Sequence, residues 1–141
     1  MVAPQLSVVP TAAAQVEADV LVLAVRAAAE GPAVLAPEGA QLPDLDPAAI
    51  GVTGAVGDLA RLPGSGTAAR SLLLVGVGKA VDPDALRAAA ANAVRRLAGA
   101  EHVALALPVD EAEALDAVLE GAALGAYAYT CLIYTSDAAD E

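Results

Sequence analysis

Three runs in this chain, Val20 to Val25, Leu72 to Val77 and Val103 to Leu107, are apolar without interruption and end at turn or polar residues. Runs of roughly 4 to 8 apolar residues with such boundaries are what strands covered on both faces look like, and parallel sheets are covered in that way. The chain is therefore expected to fold around a sheet buried between two layers. Leu6 to Val9 is a fourth, shorter candidate strand.

Between the second and third runs lies a helix with legible ends. Asp82 can cap it, Pro83 suits the first helical position because its missing N–H would have no partner there, and Gly99 can take a left-handed conformation beyond the last turn. Leu86, Ala90, Ala93, Val94 and Leu97 recur at helical spacing, which leaves Arg87, Arg95 and Arg96 for solvent. A second helix follows Pro108, with Asp110 and Glu113 spaced as in a capping box and Leu115, Val118, Leu119 and Ala122 as its buried stripe. Gly121 and Gly125 within that stripe each cost about 1 kcal/mol relative to Ala, so a close packing contact is expected there.

The middle, Gly31 to Gly66, is rich in Pro and Gly. It reads as a one-turn helix started by Asp46-Pro47, a strand around Asp58 to Leu62, and a turn at Pro63-Gly64-Ser65-Gly66 leading into the Leu72 strand. That last pairing is antiparallel. The fold class expected is α/β, with a mixed, mostly parallel sheet flanked by helices.

A chain of 141 residues suffices for one domain with a single core. Hydrophobic residues are 57% and charged residues 18%, which argues against global disorder, while the lack of Phe and Trp leaves Ala, Val and Leu to fill the interior. The formal net charge of −11 opposes nucleic-acid binding, since phosphate contacts need clustered Lys and Arg and only seven are present. One Cys excludes an internal disulfide. No leader pattern opens the chain and no run approaches the roughly 20 apolar residues of a membrane span, so a cytoplasmic domain with no membrane partner is expected.

The chemistry-bearing patterns are incomplete. Gly76-Val77-Gly78-Lys79 after a buried strand invites a phosphate-loop reading, but Val81 stands where the dinucleotide pattern has its third Gly, and Ala80 where the P-loop has Ser or Thr. A tight strand exit explains these glycines better. Gly64-Ser65-Gly66-Thr67 has no Lys behind it and reads as a hairpin turn. Asp110, Glu111, Glu113 and Asp116 fall in the first turns of one helix, where negative side chains suit the macrodipole. His102 has no second His, and Cys131 has no partner with which to build a metal site or a Cys/His pair. No catalytic, cofactor-binding or metal-ligating residue is assigned.

The order of the pieces is more specific than any one of them. The Leu72 strand running into Gly76 to Lys79, the Ala-rich helix with Arg87 and Arg95-Arg96, the strand Val103 to Pro108, and Glu120-Gly121-Ala122-Ala123-Leu124-Gly125-Ala126-Tyr127 together resemble the N-terminal domain of the leucyl (cytosol) aminopeptidase family. Gly51-Val52-Thr53-Gly54-Ala55-Val56-Gly57-Asp58 and Ala18 to Val22 are similar too, whereas Ala128 departs from the basic residue common in that family. The resemblance implies a macro-domain-like fold and a cytoplasmic, hexameric parent enzyme that removes N-terminal residues with two Zn or Mn ions. It also implies that the metal ligands and catalytic residues belong to a C-terminal domain. A two-metal site needs several convergent carboxylates, and none of those motifs occurs here, so this chain is expected to hold no cofactor and to be inactive alone. Its partners would be that catalytic domain and the sister subunits of the hexamer. The alternative is a free-standing macro-type module for ADP-ribose or a related nucleotide, using Gly76 to Lys79 and Gly64 to Thr67.

Cys131 to Glu141 departs in composition from what precedes it and resembles a translated sequencing adapter. The expected division is therefore a family domain over residues 1–130 and a non-native tail over 131–141, with the C-terminal catalytic domain absent.

Overall fold

The computed structural model describes residues 15–35, 45–64, 66–97, 100–109 and 112–140, with side chains described as far as residue 126. The candidate strand Leu6 to Val9, the cap position Gly99 and the Asp110 half of the capping box lie outside these residues. Among these described residues, strands and helices follow in the order β1 (Val20–Arg26), β2 (Ala33–Leu35), α1 (Pro47–Ile50), β3 (Leu59–Pro63), β4 (Ser71–Gly78), α2 (Pro83–Arg96), β5 (Val103–Ala106) and α3 (Ala112–Asp140).

Strand β1 organises the sheet. Along one edge it pairs in parallel with β4, from Val20 opposite Ser71 to Val25 opposite Gly76, and an irregularity then sets Arg26 against Gly78. Its other edge is shared by two short strands. Val20 to Leu23 pair in parallel with β5, and Ala24 to Arg26 pair antiparallel with β2. Strand β3 lies antiparallel on the far side of β4, as the hairpin reading requires. The sheet is thus mixed, its two parallel pairings made by the apolar runs and its two antiparallel pairings by the short outer strands. Only β2 has no counterpart in the sequence reading, because a three-residue strand after Gly31-Pro32 carries too little pattern to stand out.

Alternation explains why the runs are apolar throughout. Val20, Val22 and Ala24 of β1, with Leu73, Val75 and Val77 of β4, face one core, while Leu21, Leu23 and Val25, with Leu72 and Leu74, face the other. All of them are buried. Leu86, Ala89, Ala90 and Ala93 of α2 and Val118 of α3 cover the first face, and Val52, Ala69 and the half-buried Ile50 of α1 pack on the second.

The local signals for the starts of α1 and α2 hold. Asp82 accepts a hydrogen bond from Ala85 N at 2.8 Å, with Pro83 in the first turn. Asp46 does the same for α1 through Ala49 N at 3.4 Å, and Gly51 closes that turn at φ +98°. One expectation is corrected: Arg87 does not point into solvent. It lies half-buried against α3, paired with Asp84 at 2.6 Å and facing Glu120 at 3.7 Å, because α3 crosses directly over that turn of α2. The crossing depends on the two glycines. A Cβ on Gly121 would fall on the Arg87 carbonyl oxygen, and one on Gly125 would come within 2.6 Å of Ala91 O.

Candidate functional site

In open α/β sheets, ligands bind beyond the carboxyl ends of the parallel strands. Here the parallel strands are β1, β4 and β5, and residues 52–58 are seated on the carboxyl ends of β1 and β4. Gly78 N donates to Gly54 O at 2.8 Å, Gly76 N donates to Asp58 O at 2.8 Å, and Ala27 N donates to Gly78 O at 3.1 Å. The approach is close enough that a Cβ on Gly76 would overlap Ala55 O, and one on Gly54, itself at φ +88°, would meet Ala27 N at 2.6 Å. The loop holds its own shape through Asp58, whose Oδ2 accepts from Thr53 N at 2.7 Å and Thr53 Oγ1 at 2.8 Å. These bonds from the Thr53 amide and then its hydroxyl hold the Asp58 carboxyl below the ordinary value.

This arrangement decides the phosphate-loop question. An anion cradle needs free backbone N–H groups, and those of Gly76 and Gly78 are already bonded within the chain. Lys79 is exposed beside them. The Gly64 to Thr67 turn is closed in the same manner, since Gly64 N donates to Arg70 O and Thr67 N to Gly64 O, each at 3.0 Å. Thr67 Oγ1 also bonds Gly64 O, at 2.7 Å. Both motifs are strand exits or hairpin turns.

The opposite end of the sheet carries an open cavity of about 560 Å³ lined by Glu17, Asp19, Arg70 and His102 with Ala18 and Ala68. Asp19 sits just ahead of β1 and accepts from Glu101 N at 3.0 Å and His102 N at 3.1 Å, so its carboxylate holds the entry to β5. The His102 amide, then the Glu101 amide, and more weakly the Arg70 charge, lower its pKa against a smaller opposing effect of burial. Neither Asp19 nor Asp58 stood out in the sequence as a functional group. Their signal is position, immediately before a strand in each case, the buried β1 for Asp19 and the half-buried β3 for Asp58.

The remaining sequence candidates do not converge. Glu113 and Asp116 are exposed on α3, Asp110 and Glu111 lie outside the described residues, His102 is exposed at the start of β5, and the Cys131 side chain is not described. Among the described residues no group of three or more His, Cys, Asp or Glu side chains could hold a metal ion. Arg87 is the polar group the sequence reading misplaced. Its guanidinium pKa is raised by the hydrogen bond to Asp84 and, less, by the Glu120 charge, and Nε is buried without a partner.

Comparison with known proteins gives a consistent result. The sequence pattern described as "Cytosol aminopeptidase family, N-terminal domain" matches residues 48–132. A protein named probable cytosol aminopeptidase from Clavibacter michiganensis subsp. michiganensis is 49% identical over 130 residues, covering 92% of this chain and 26% of the relative. Its namesake from Leifsonia xyli subsp. xyli is 44% identical over 131 residues, with coverage of 92% and 26%. One from Micrococcus luteus is 43% identical over 123 residues, covering 80% of this chain and 24% of the relative. The chain thus spans about a quarter of the length of these curated relatives.

Proposed function

This chain belongs to the cytosol aminopeptidase family through that family's N-terminal domain, and on that premise we propose that it is the non-catalytic portion of a metal-dependent exopeptidase that removes N-terminal amino acids from peptides. The carrying observation is the alignment itself, which takes in 92% of this chain and only 26% of the relative. Residues 52–58 sit over the carboxyl ends of β1 and β4 and take up the Gly76 and Gly78 amides, which speaks against a ligand-binding role for that turn.

In this reading the family domain runs over residues 1–130, with 131–141 foreign to it. The two Zn or Mn ions of the activity are held by the C-terminal catalytic domain of the parent enzyme. The N-terminal domain serves assembly, through contacts with that catalytic domain and with sister subunits of a homo-hexamer, and shapes access to the active site. The setting is cytoplasmic. No helix among the described residues is long and apolar enough to cross a membrane.

The test is direct. The 141-residue chain, supplied with zinc or manganese, is expected to show neither tight stoichiometric metal binding nor turnover of a leucine anilide under conditions where a full-length relative does both. Metal retention together with turnover would overturn the proposal. The competing reading, a free-standing ADP-ribose module, gains no support from the relatives or from the occupied amides of Gly76 and Gly78.

A further inference from the structure

We draw no further inference here: the strongest candidate, the open cavity at the amino ends of β1, β4 and β5 lined by Glu17, Asp19, Arg70 and His102, carries nothing because its opposite charges stand at the surface, Asp19 is already bonded to the Glu101 and His102 amides, and nothing in the structure points to a ligand.

Discussion

Gly121 of α3 rests on the main chain of Arg87 in α2, so closely that a methyl group there would overlap the Arg87 carbonyl oxygen. The contact fixes how near the two helices lie. It also explains why Arg87 is half-buried: with the backbones in contact, its side chain is caught between Asp84 on its own helix and Glu120 on the other. Both carboxylates are largely exposed, so this bridging adds little stability compared with the helix contact itself.

Gly121→Ala is therefore expected to destabilise the domain by about 1–3 kcal/mol, the usual cost of overpacking, even though Ala is the better helix former. Gly125→Ala, with Ala91 O at 2.6 Å from the added carbon, should act in the same direction. Urea unfolding reads both. A midpoint that rises in either variant would mean that propensity outweighs contact and that the helices are not held at this distance.

Gly76→Ala should also cost about 1–3 kcal/mol, because the new methyl would displace Ala55 O from its seat over β4. The amides of Gly54, Ala55 and Asp58 should exchange faster than in the parent chain, while those of α2 should keep their protection. Uniform loss of protection across the domain would contradict a local seat for the loop.

Asp19 gives a pH dependence with a defined sign. Folding lowers its pKa from the ordinary 3.8, so its contribution is complete above that value and is lost as pH falls through the lower folded value. Asp58 is lowered in the same way and has the same sign. Asp19→Ala is expected to lower the urea midpoint at pH 7, and its difference from the parent should shrink as pH drops below about 4. A difference that stays constant down to pH 2 would remove the carboxylate from the account.

Titration with ADP-ribose followed by calorimetry is expected to give no saturable heat at micromolar concentrations, since the amides a phosphate would need are bonded to Gly54 O and Asp58 O. Stoichiometric micromolar binding would show that residues 52–58 can be displaced by a ligand, and would revive the binding-module reading.

In the interior, Leu86→Ala should cost about 2–5 kcal/mol through the lost contacts and the cavity left under α2, whereas Asp82→Ala should cost about 1 kcal/mol by removing the helix cap. Thermal unfolding distinguishes them by rank. Equal losses would mean that the small side chains around Leu86, Ala89, Ala90 and Ala93 collapse to fill the gap.

Local order determined what could be read in the chain alone. Unbroken apolar runs named β1, β4 and β5, Asp46-Pro47 and Asp82-Pro83 named two helix starts, and Pro63 to Gly66 named the hairpin between β3 and β4. Each of these signals depends on residues within a turn or two of one another. Tertiary structure alone decided that β2 and β5 share one edge of β1, that residues 52–58 seat on Gly76 and Gly78, that Asp19 holds the entry to β5, and that Arg87 meets Glu120. Except for the short β1–β2 hairpin, those pairings join residues far apart along the chain, and their geometry is set only once the sheet and helices have come together.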